Sequence, residues 1–190
     1  MTKEKSPLVF LLLSAFSILT ILVAKQVTRP MDLAVIQAIQ HFAFKELDYG
    51  MYFFTLLGSI EFSFFALLVV SWYLYRRYDW PEAFLYLFFF VALSGVEYIW
   101  KYVVTYTAPG PEFFRHPFEM GLLIVQTPYS FPSGHAFRSI FLLGIWYQRA
   151  NQKPSPPKGS ALFQKGIIVV LILLVCVSRV YLGDHWLSDV

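Results

Sequence analysis

The sequence predicts an all-α fold, a polytopic bundle of transmembrane helices. Three observations carry this. Hydrophobic residues make up 57% of the 190-residue chain and charged residues only 14%, where a soluble domain carries about 25% charge. Aromatics reach 19%, a load suited to helices that end in aromatic belts. The apolar residues also gather in long runs, and about 20 such residues cross a bilayer as a helix. The length suits a single membrane-embedded domain over residues 1–190.

The first span is expected from Leu8 to Ala24, behind Lys3 and Lys5. A cleaved leader is the competing reading, but Leu22-Val23-Ala24 offers no small-x-small cleavage site and further apolar runs follow. The second span is expected from Tyr52 to Tyr75, closed by Arg76-Arg77, and the third from Ala83 to Tyr102. A fourth runs from Pro132 to Tyr147 and a fifth from Gly166 to Tyr181. A sixth opens near His185 and is cut short at Val190, so the domain reads as truncated at its C-terminus. Between the first two spans, Leu33, Ile36, Ile39, Phe42 and Phe44 form a loose apolar stripe that predicts a short interfacial helix.

Basic residues set the orientation. With alternating crossings, Lys3, Lys5, Arg76, Arg77, Arg149, Lys153, Lys158 and Lys165 fall on one face, assigned as cytoplasmic. Residues 149–165, with Pro154, Pro156 and Pro157, read as a polar loop on that side. The chain is expected to be a multi-pass protein of the plasma membrane, with its site on the outer face. The net charge of +3 gives no footprint for nucleic acid. The one cysteine, Cys176, excludes an internal disulfide and a cysteine-based zinc site, and reads as a packed hydrophobe.

Ionisable residues at the edges of apolar spans mark function. Here they collect on the outer face: Lys101 at the end of the third span, Ser133-Gly134-His135 at the start of the fourth, and Ser178, Arg179, His185 and Asp189 around the end of the fifth. Each has an ordinary structural explanation alone: a snorkelling cation, a helix cap, a surface pair. Their co-occurrence at one depth is what points to a site. Lys101 and Arg179 are fixed cations, and the arginine fork matches phosphate oxygens. Pro132 reads as the first residue of a helix whose free N–H groups face an anion. Gly134 permits close backbone approach, and Ser133 adds a hydroxyl. His185 and Asp189 are four apart, so on a helix they share a face. The carboxylate would then hold one ring nitrogen and orient the other as nucleophile or base. His135 is a second imidazole, suited to proton transfer. His41 and His116 read as solvated loop residues.

These residues resemble the type 2 phosphatidic acid phosphatase family, the lipid phosphate phosphatases related to vanadium haloperoxidases. The family's Pro-Ser-Gly-His motif stands here as Pro132-Ser133-Gly134-His135. Its Ser-Arg-x5-His-x3-Asp motif stands as Ser178-Arg179, His185 and Asp189. Its first motif, Lys-x6-Arg-Pro, is incomplete: Lys101 is followed at that spacing by Ala108-Pro109. Arg138, three residues beyond His135, is the candidate to supply the missing charge, and Arg115 is a weaker one.

The resemblance implies a lipid phosphatase in which His185 attacks phosphorus to form a phosphohistidine. Asp189 would orient it and His135 would protonate the leaving oxygen. Lys101, Ser133, Gly134 and Arg179 would bind the phosphoryl group. It implies no metal and no cofactor, with a lipid phosphate and the surrounding membrane lipids as partners. Undecaprenyl pyrophosphate, phosphatidylglycerol phosphate and phosphatidic acid all remain open as substrates. A phosphotransferase of the same fold and a non-catalytic protein with a degenerate site are the alternatives.

Overall fold

A computed structural model describes residues 5–77, 80–118, 127–150 and 160–190. Seven α-helices occur among them: α1 (Lys5–Ala24), α2 (Arg29–His41), α3 (Lys45–Leu56), α4 (Ile60–Arg77), α5 (Trp80–Val104), α6 (Gly134–Ala150) and α7 (Ser160–Tyr181). Short 3-10 turns lie at Pro111–Phe113 and Leu187–Asp189. Lys3, Lys153, Lys158 and the three prolines of the 149–165 segment lie outside the described residues.

Three stretches are long and apolar enough to cross a membrane: Pro7–Ala24, Ala83–Val104 and Leu162–Tyr181, with mean hydropathies of 2.5, 1.7 and 2.1. Large side chains on their outer faces, such as Phe10, Leu11, Val91, Val103 and Leu173, are exposed. Among helices this apolar, such faces belong to lipid. α6 packs mainly on α7, α4 on α5, and α3 on α7. α2 covers most of the stretch expected as an interfacial helix.

The second expected span differs from its prediction. It is a broken pair, α3 and α4, bent by 44°. The N–H groups of Leu57, Gly58 and Ser59 bond the carbonyls three residues back, which tightens and ends α3. The Ser59 hydroxyl then accepts the Phe62 N–H at 3.2 Å and caps α4.

Three smaller corrections follow from local chemistry. α6 begins at Gly134, not Pro132, which lies outside the helix in a cis peptide with Phe131. α6 continues to Ala150 and α7 starts at Ser160, so the polar segment between them shrinks to 151–159, outside the described residues. Residues 187–189 form a 3-10 turn where the opening of a sixth helix was expected. Trp186 fixes that turn. It is fully buried, its indole N–H donates to the Thr107 carbonyl at 2.7 Å, and the Arg29 guanidinium lies 4.1 Å from its ring centre.

Candidate active site

The C-terminal end of α5, the N-terminus of α6 and the C-terminal end of α7 meet on one side of the bundle. Lys101 is buried in the last turn of α5. Its ammonium donates to the Ser130 and Pro132 carbonyls at 3.0 and 2.7 Å and pairs with Glu97, one turn earlier, at 3.2 Å. These contacts hold the 130–133 segment against α5. The Ser133 N–H then donates to the Asp189 carbonyl at 2.8 Å, joining the two sequence motifs directly. The Ser133 hydroxyl accepts the Ala136 N–H at 3.4 Å, as a helix cap does.

Two glycines line the seat of His135 closely, and at Gly58 the close neighbour is backbone, so space requires glycine there. A β-carbon on Gly58 would come within 2.7 Å of the His135 carbonyl oxygen. One on Gly134 would meet the Arg138 guanidinium at 2.7 Å and Glu97 at 3.0 Å. The break between α3 and α4 is thus the surface against which His135 is seated.

Arg138 is buried beside His135. Its Nε donates to the Gly58 carbonyl at 2.9 Å. One terminal nitrogen lies 3.5 Å from His135 Nδ1 and another 4.0 Å from Glu97. Arg115, the weaker candidate, is committed elsewhere: it forms a two-pronged pair with Asp48 at 2.9 and 3.0 Å.

Arg179, in the last turn of α7, donates to the Thr55 hydroxyl at 2.8 Å and pairs with Asp184 at 3.0 Å. Its Nε is buried without an acceptor among the described residues. Ser178 turns its hydroxyl back to the Val175 carbonyl at 2.7 Å and serves the helix. His41 and His116 are both exposed, and His116 also contacts Asp184 at 2.8 Å.

His185 and Asp189 meet as the sequence implied, but by a different route. The backbone leaves α7 through Gly183, at φ +80, and the 3-10 turn carries Asp189 back so that Oδ2 lies 3.3 Å from His185 Nδ1. Oδ2 also accepts the Trp186 N–H at 2.8 Å. Burial, with Arg179 and Lys101 nearby, pushes His185 well below its usual value, so the ring is neutral at pH 7. Burial raises the Asp189 carboxyl to about 7, against the opposing pull of the Trp186 N–H. His135 is within electrostatic reach of Arg179, Arg138, His185 and Lys101, so both imidazoles share one set of cations.

Lys101, Ser133, Gly134, His135, Arg179, His185 and Asp189 therefore form one connected cluster. A family model for the PAP2 superfamily matches residues 83–190. The chain belongs to the PAP2 superfamily. No curated protein sequence matches it. Among solved structures, the transmembrane PAP2 type phosphatidylglycerolphosphate phosphatase from Bacillus subtilis is similar, with a TM-score of 0.74 and 22% identity over 93% of this chain and 85% of that one. That likeness establishes the fold. At the level of class, this PAP2 chain is a membrane phosphatase.

Thr55, Gly58, Glu97 and Asp184 were missed by the sequence reading. Glu97 carried a usable signal, since it stands one helical turn before Lys101. Thr55 and Gly58 carried none that distinguishes them from span residues.

Proposed function

We propose that the protein releases phosphate from a membrane lipid through a phosphohistidine on His185. The observation that carries this reading is the neutral, buried His185 held at Nδ1 by Asp189 among buried cations. With Nδ1 engaged, Nε2 is left as the attacking atom. The nitrogen forms a bond to phosphorus, and the bond from phosphorus to the lipid oxygen breaks. His135 gives a proton to the departing oxygen. It then takes one from the water that cleaves the phosphorus–nitrogen bond, so inorganic phosphate leaves and both histidines are restored.

Lys101, Arg179, the Ser133 hydroxyl and the Gly134 N–H hold the equatorial oxygens, where preset donors act on developing charge. The Nε of Arg179, which has no acceptor among the described residues, is one such donor. Arg138 supplies the cation absent at Ala108; its position against His135 and Gly134 supports this.

The site lies at helix ends flanked by exposed apolar surface, so a lipid tail stays in the bilayer while its phosphate enters. The basic residues expected at the opposite helix ends favour a plasma-membrane orientation with the site facing outward. Phosphatidylglycerol phosphate, phosphatidic acid and undecaprenyl pyrophosphate are the panel to assay. His185→Ala should abolish phosphate release from every lipid in that panel while leaving membrane insertion intact. Release that survives in this variant overturns the assignment.

A further inference from the structure

The structure assigns Asp32, on α2, as a positioning residue for the His185–Asp189 pair. Asp32 is fully buried. One carboxylate oxygen accepts the Ser188 N–H at 2.9 Å. The other accepts the Ser188 hydroxyl at 2.7 Å and the Tyr106 hydroxyl at 2.8 Å. All three distances are those of firm hydrogen bonds, and bonds to a charged acceptor are the stronger kind.

The consequence lies one residue further along. Ser188 is the middle residue of the 3-10 turn, and Asp189 follows it. Holding the Ser188 backbone and side chain at once fixes the turn from the α2 side. Trp186 fixes it from the other side through Thr107. Between these two anchors the Asp189 side chain has little freedom, and Oδ2 is delivered to His185. Three hydrogen-bond donors converge on this carboxylate, two from Ser188, 156 residues away in sequence, and one from Tyr106, 74 residues away. Two of those donors belong to the residue next to Asp189, so the carboxylate acts on the turn itself as well as on α2.

Asp32 also acts through its charge. Asp189 is faced by Lys101 from α5, by Asp32 from α2 and by His185 from its own segment; Lys101 opposes and Asp32 favours protonation of its carboxyl. An amide at position 32 therefore leaves Asp189 easier to ionise.

This assignment rests on the proposed role of His185, and the test keeps the two separable. Full-length protein in detergent is assayed for phosphate release from phosphatidic acid, with His185→Ala alongside. Asp32→Ala is expected to lower kcat roughly 10- to 100-fold with KM nearly unchanged, since the reacting groups are misplaced and the phosphate cradle is not. Asp32→Asn is expected to move the acid limb of the pH profile to lower pH, which a purely structural role would not do. Ser188→Ala, which loses only the 2.7 Å bond, gives the same kcat-selective loss in milder form and stands in should Asp32→Ala not survive purification. Equal losses in kcat and substrate affinity, or an Asp32→Asn limb coincident with wild type, overturn the assignment. An active His185→Ala overturns the underlying mechanism instead.

Discussion

Asp189 reaches His185 through a tight turn, Oδ2 to Nδ1 at 3.3 Å, while its own backbone carbonyl accepts the Ser133 N–H at 2.8 Å. One residue therefore ties the nucleophile segment to the start of α6. Asp189→Asn preserves the shape but no longer presents a carboxylate to Nδ1–H. Phosphate release should fall by on the order of 10²–10⁴-fold, as for other histidines deprived of their orienting carboxylate. Steady-state rates on a lipid phosphate measure this, and a loss under threefold would contradict it.

The acid limb of the activity profile should sit near the Asp189 value of about 7. His185 is held well below its usual range, so it stays neutral throughout this window. As pH falls through about 7, Asp189 takes up a proton and ceases to accept from the imidazole. A pH–rate profile should rise toward neutrality and flatten above it, and the residual activity of Asp189→Asn should lack that limb.

The same shift has a stability consequence of definite sign. Asp189 has a higher pKa folded than unfolded, where a carboxyl sits near 3.9. The folded state thus binds the extra proton, and the stability this contributes is present below about pH 4 and lost as pH rises through about 7. Asp189→Asn should melt above wild type at pH 8 and close to it at pH 4. Thermal unfolding in detergent at the two pH values checks this.

Arg138→Gln should weaken competitive inhibition by inorganic phosphate. Loss of a charge-assisted contact is worth about 1.5–3 kcal/mol, or roughly 10- to 150-fold in affinity. Unchanged inhibition would remove Arg138 from the phosphate cradle.

Gly58→Ala tests the seat of His135. The added methyl would have to occupy space 2.7 Å from a backbone oxygen, which cannot swing aside as a side chain does. Overpacking of this kind costs about 1–3 kcal/mol, so a lower melting temperature with reduced kcat is expected. Serine at the same position should be no better.

Much of the site was legible because its chemistry is concentrated in short segments. Ser133, Gly134 and His135 are consecutive, and Arg179, His185 and Asp189 fall within eleven residues at the end of an apolar run. Charge is costly there, so each ionisable residue stands out. The turn that joins His185 to Asp189 was not legible, because a four-residue spacing fits a helix equally well. Nor was the break at residues 57–59: Gly58-Ser59 interrupts a run whose hydropathy alone favours one continuous span. Thr55, Gly58 and Asp32 act across 124, 80 and 156 residues. Such pairings depend on how helices pack, which periodicity within any one helix does not encode.

The bent α3–α4 pair and α2 together set a lower bound on the smallest working enzyme. A fragment beginning at residue 83 would keep every motif residue yet strip the acceptors from Arg138 Nε and the Ser188 amide, and leave Arg179 Nη1 with Asp184 but without Thr55. Each orphaned donor carries a penalty of about 1–3 kcal/mol. The first sixty residues are thus part of the reaction vessel itself, and tolerance of change there should follow those contacts more closely than hydropathy.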